Sequence, residues 1–229
     1  MMTRIVLLHA TPVAMAPIDA AFRDIWPEAE TINLLDDGLS VDRAREETLS
    51  PALIDRFVHL GEYGYKMQAG GILVTCSAFG PAIDRLAETL PVPVLKPNEA
   101  MFHEAVQQGN TIGMLATFGP SIQTMTDEFN QYVAEHHSAA TLTTVLVEEA
   151  IDLLKKGDVE GHNQRVAARA KELAHCDVIM LAHFSTSRAA DSVRQQVAIP
   201  VLTAPHAAVK RMKASVAAAD RHSPAGEKE

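Results

Sequence analysis

Short apolar runs alternate along this chain with longer stretches in which apolar residues recur every three or four positions. Arg4 to His9 (RIVLLH) reads as a strand, and Ile72 to Val74 has the continuous apolar character of a parallel strand covered on both faces. Ile18, Ala21, Phe22 and Ile25 then fall at helical spacing, which predicts a helix from about Met15 through Trp26. Thr31 to Leu35 is the next strand and ends in Asp36-Asp37-Gly38, ahead of a loop over 37–42. A helical region over 42–69 breaks at Ser50-Pro51, because serine is a favoured N-cap and proline a favoured first residue. Gly71 to Val74 and Pro91 to Leu95 are further strands, with helices opening at Pro81 and Pro97. Such alternation predicts a parallel sheet flanked by helices.

The second half follows the same plan. Strands are expected at 111–117, 141–147, 177–182 and 199–202, with helical stretches over 120–133 and 149–174, the latter broken at Gly157-Asp158. A last helix is expected over 206–220, before a polar tail at 221–229. One offset relates the halves: Ile5 to Ile112, Cys76 to His183 and Pro93 to Pro200 are each 107 positions apart (112 − 5, 183 − 76, 200 − 93). A repeat of that length predicts an α/β protein of two pseudo-symmetric lobes, each a parallel four-stranded sheet flanked by helices, with a cleft between their strand ends. The lobes are assigned to residues 1–97 plus 205–229, and to 98–204.

Composition narrows the function. Twenty basic residues against twenty-nine acidic leave a net charge of −9 with no basic stripe, which excludes nucleic acid as a partner. No apolar run reaches the ~18 residues of a membrane span, and Met-Met-Thr-Arg leads into a strand, so a cytoplasmic protein without a membrane partner is expected. Cys76 and Cys176 do not make a disulfide framework. The ten histidines lack metal-ligand spacing, His136-His137 reads as a solvated helix end, and no metal is expected.

The stretch Gly71 to Pro81 (GILVTCSAFGP) runs from a buried strand into a thiol, a hydroxyl and a helix start. The positive end of that helix would favour the thiolate of Cys76. A buried structural cysteine is the other reading of the same position. The 107-residue offset makes His183 its counterpart, and an imidazole with an ordinary pKa of about 6.5 is a competent proton carrier. Thr11, Ser77, Thr117, Ser185 and Thr186 all lie at predicted strand ends, where their hydroxyls converge on one cleft. Phe118 and Phe184 would shape an apolar wall or fill core, and Lys96 would offer a cation or simply face solvent.

Val74-Thr-Cys-Ser-Ala78, the strand Thr111 to Thr117 and the strand Asp177 to His183 together resemble the aspartate/glutamate/hydantoin racemase superfamily, over nearly the whole chain. The resemblance implies a cofactor-independent isomerase, a homo-oligomer, that moves a proton at the Cα of a small carboxylate or hydantoin. It also implies two cysteines flanking that carbon. Here Cys76 holds one position and His183 the other, while Cys176 precedes its strand and belongs at the opposite sheet end. The implied reaction therefore runs through Cys76 with His183 as partner base. Two alternatives stay open: decarboxylation of a malonate-like acid with one protonating thiol, although the lone cysteine of those relatives corresponds to the second lobe, and a binding protein that has lost the reaction.

Overall fold

Each apolar run becomes a strand of one of two parallel sheets. Residues 2–222 are described in the computed structural model, and the chain divides into two compact units. One takes residues up to Pro97 together with those from Ala208 onward, and the other is Asn98–Ala207.

The first unit runs β1 (Arg4–His9), α1 (Met15–Ile25), β2 (Glu30–Leu35), α2 (Gly38–Arg43), α3 (Pro51–Lys66), β3 (Gly71–Val74), α4 (Gly80–Thr89) and β4 (Val94–Leu95). Its strand order is β2-β1-β3-β4. Ser50 caps α3 by accepting the Leu53 N–H, with Pro51 directly after it. Val6, Leu8 and Ala10 join Ile72 and Val74 on one sheet face, where Phe57 of α3 and Ile83 and Leu86 of α4 cover them. Phe57 also stacks on Phe79, with ring centroids 4.8 Å apart.

The second unit runs α5 (Glu99–Gln108), β5 (Thr111–Ala116), α6 (Ile122–Glu135), β6 (Thr141–Leu146), α7 (Ala150–Lys155), α8 (Val159–Arg169), β7 (Val178–Leu181), α9 (His183–Thr186), α10 (Ala190–Arg194) and β8 (Val201–Thr203). Its order, β6-β5-β7-β8, repeats that of the first. Leu115, Ile179 and Leu181 pack against Val166 and Ala167 of α8 and Val193 of α10. The last helix, α11 (Ala204–His222), returns the chain to the first unit. Met212 lies beneath the start of β3: a Cβ added at Gly71 would come within 2.6 Å of its sulfur. Lys213 Nζ donates to the carbonyl of Ile25 at the end of α1, at 3.2 Å.

Local departures from the expected elements have physical causes. Residues 38–43, read as loop, form α2, and Arg56 of α3 ties both ends of the segment down through Asp36 (2.6 Å) and Asp42 (2.7 Å). Residues 44–50 are not helical. The strands expected from Pro91 and Ile199 begin only at Val94 and Val201, because a proline donates nothing to a ladder. Pro93 and Pro200 still accept, from Ile72 N–H (2.8 Å) and Ile179 N–H (2.9 Å). The helix expected from Pro97 starts at Glu99, and the stretch after β7 forms a short helical turn. Of the polar tail, residues 223–229 lie outside the described residues. No helix among the described residues is long and apolar enough to cross a membrane.

Candidate active site

In each sheet the chain leaves the first strand toward one edge and then returns to the other side, which makes β1/β3 and β5/β7 the switch points. Open α/β sheets take ligands beyond the carboxyl ends of such strand pairs. Cys76 and His183 stand there, each two residues beyond its strand, which ends at Val74 or Leu181.

In the first unit, Cys76 is half-buried at the edge of the core and makes no disulfide. It immediately precedes a 3-10 turn, Ser77–Phe79, which runs directly into α4. The preceding residue, Thr75, meets His9, which is wholly buried at the end of β1. His9 Nδ1 is 2.8 Å from Thr75 Oγ1 and its Nε2 is 2.7 Å from Asn33 Oδ1, while Asn33 Nδ2 reaches toward Asp19 at 3.5 Å. Burial lowers the His9 pKa against the opposing pull of the Asn33 hydrogen bond, so the ring is neutral. Thr75 Oγ1 also donates to the Leu8 carbonyl at 3.2 Å, so the hydroxyl stands between the His9 ring and the β1 backbone. These contacts tie down the residue before the thiol.

In the second unit, His183 opens α9 with a backbone φ of 65°, in the left-handed region. Histidine enters that region more readily than β-branched residues, and such outliers concentrate at functional sites. Its Nε2 is 2.6 Å from Ser121 Oγ, in the 3-10 turn Gly119–Ser121 after β5. Burial pulls the imidazole from the ordinary 6.5 down to about 4, so it is neutral at pH 7. Thr117 and Thr186, both buried, hold each other at 3.2 Å. Ser185 and Phe184 are also buried, whereas Phe118 is 45% exposed.

A depressed histidine pKa has a consequence for folding. The unfolded chain binds a proton that the folded one refuses, so the stability from a neutral His183 is complete above pH 6.5 and lost as pH falls toward about 4. The loss is up to about 3 kcal/mol. His9 and His162, also lowered by burial, add in the same direction. Urea unfolding midpoints should therefore fall from pH 7 to pH 4.5, and His183→Asn should flatten part of that slope.

Among the other residues singled out in the sequence, Thr11 is half-buried and precedes the 3-10 turn Pro12–Ala14, and Ser77 opens the turn after Cys76. Lys96 is engaged by Asp84 at 2.6 Å, so its cation is spent on a surface ion pair. Cys176 is buried before β7, where burial pushes its thiol pKa up and suppresses the thiolate. The structure brings Thr117 to Thr186, and to His183 it brings Ser121, which the sequence did not single out. His9 was missed as well. A titratable residue at the inner end of an otherwise apolar strand was the available signal for His9; Ser121 had none beyond its place in a turn after a strand.

Two like-ordered parallel α/β units thus carry a thiol in one and a neutral imidazole in the other just beyond the switch-point strands. The family model for Asp/Glu/hydantoin racemase matches residues 10–181. The chain belongs to the Asp/Glu/hydantoin racemase family, which makes it a cofactor-independent isomerase of the racemase type. Its fold is similar to that of allantoin racemase from Klebsiella pneumoniae, at 20% identity and a TM-score of 0.68, covering 99% of this chain and 95% of that one. It is also similar to glutamate racemase from Francisella tularensis in complex with D-glutamate, at 16% identity and a TM-score of 0.68, covering 100% and 86%. The Gly74Cys mutant of arylmalonate decarboxylase shares the fold as well, at 15% identity and a TM-score of 0.64, covering 94% and 93%. No curated protein matches the sequence.

Proposed function

We propose that this racemase-type enzyme moves a proton at the Cα of a small carboxylate or hydantoin substrate, with Cys76 and His183 as unlike acid and base. The observation that carries the reading is the equivalence of the two residues: each stands two positions beyond the third strand of its unit. The neutral imidazole of His183 accepts the Cα proton, and the electron pair left on carbon spreads onto the adjoining carbonyl as an enediolate. The Cys76 thiol then delivers its proton to the other face of that carbon. The reverse sequence, thiolate as base and imidazolium as acid, restores the starting state. A developing enediolate needs donors aimed at its oxygens. Thr11, Ser77 and Ser185 are assigned that role, Thr117 and Thr186 brace the second strand end, and Phe118 supplies apolar surface.

Proton NMR in D2O tests this directly, with aspartate, glutamate, hydantoins and malates as the panel. Loss of a Cα–H signal together with appearance of the opposite enantiomer is the expected result. Silence across the panel counts against the reading. A second reading rests on the single strand-end thiol and on the likeness to arylmalonate decarboxylase. It assigns loss of carbon dioxide from a malonate, with Cys76 protonating the resulting enediolate. Carbon dioxide release from aryl- or alkylmalonates separates the two, because racemisation yields none.

A further inference from the structure

We infer that Ser121 is a positioning residue that fixes the tautomer of His183 and so assigns proton transfer to Nδ1 of that ring. The inference rests on the proposed role of His183 and names the nitrogen that carries it out. Ser121 Oγ has two close polar neighbours, the Phe118 carbonyl oxygen at 2.7 Å and His183 Nε2 at 2.6 Å. A serine hydroxyl has one proton to give, and a carbonyl oxygen can only accept. Two oxygens at 2.7 Å with no proton between them repel, so the hydroxyl proton belongs on the line to Phe118. The contact with the ring then needs its proton from the other side, and Nε2 must carry the hydrogen. A neutral imidazole protonated at Nε2 has its lone pair on Nδ1. No partner among the described residues occupies Nδ1, which is thus open to receive a proton from carbon.

Three elements converge to hold this arrangement. The turn Gly119–Ser121 sets the hydroxyl against the Phe118 carbonyl three residues back, and the Ser121 N–H reaches the same carbonyl at 3.2 Å. The left-handed backbone at His183, φ 65°, starts α9 at that point. Thr117, one residue before Phe118, is tied to Thr186 of α9 at 3.2 Å, so the turn and the helix are joined a second time. Rotation of the ring would break its bond to Ser121, and a change of tautomer would leave Ser121 Oγ without its donor.

The tautomer can be read without turnover. Long-range proton–nitrogen NMR of the protein labelled with 15N-histidine, with His183 assigned by comparison with His183→Asn, is expected to show Nε2 protonated and Nδ1 bare at pH 7. An Nδ1-protonated ring overturns the inference even if the enzyme is active. Ser121→Ala should lower kcat by about 10–100-fold with little change in KM, and the His183 Nε2–H should then exchange faster with solvent. Ser121→Thr keeps the hydroxyl and should restore both properties. An alanine variant with unchanged kcat and an unchanged exchange rate sinks the role assigned to Ser121. A silent substrate panel would remove the proposed function and leave the tautomer result standing, so the two failures are distinguishable.

Discussion

Cys76→Ser is expected to lower turnover by about 10³-fold, within the range ordinarily lost with an acid–base group. A serine hydroxyl nearly matches the thiol in size but is far less acidic, so the enediolate loses its proton donor and the reverse reaction loses its base. Cys76 is half-buried at the edge of the first core, where the exchange of sulfur for oxygen is a small change in volume. The variant should fold as the parent does. Retained near-ultraviolet circular dichroism with lost racemisation, and with Cα–H exchange left for one enantiomer only, is the expected set of observations, and a serine variant with parental turnover would end the assignment of Cys76.

The complementary experiment is His183→Asn. Asparagine tolerates the left-handed backbone that His183 adopts at φ 65°, so the helical turn need not rearrange. Racemisation should fall by about 10²–10⁴-fold, because one face of the substrate loses its proton carrier. Cys76 remains, and hydrogen exchange with solvent should persist for one enantiomer only. Racemisation at the parental rate would remove His183 from the mechanism. Symmetric loss of exchange for both enantiomers would make His183 a structural support rather than a base.

The parts of the molecule that were legible in the sequence are those governed by local rules. The offset of 107 survives in the ladders themselves, where Ile5 pairs with Gly71 and Ile112 with Val178 (112 − 5 and 178 − 71). It fails at one edge of each sheet, where β2 and β6 begin at Glu30 and Thr141, 111 apart (141 − 30), because the connections leading to those strands differ in length. The strand-end placement of Cys76 and His183 follows from the same periodicity. What surrounds them does not. His9 meets Asn33 24 residues away and Thr75 66 residues away, and Ser121 meets His183 across 62. Such pairings depend on which strands become neighbours. Lys96 shows the reverse case: a cation that reads as available to a ligand is engaged by Asp84 on the preceding helix.

The position of Met212 beneath Gly71 has a consequence for biogenesis. A ribosome releases β1 and β3 first, yet the helix that packs under β3 belongs to the final segment and emerges only after the whole second unit. At roughly 5–20 residues per second, that gap is on the order of ten seconds. At its end, the second unit has all of its strands while the first, although older, still lacks its closing piece. The half of the molecule that carries the thiol is thus begun first and completed last, and a nascent chain halted before Met212 presents an apolar sheet face to whatever chaperone meets it.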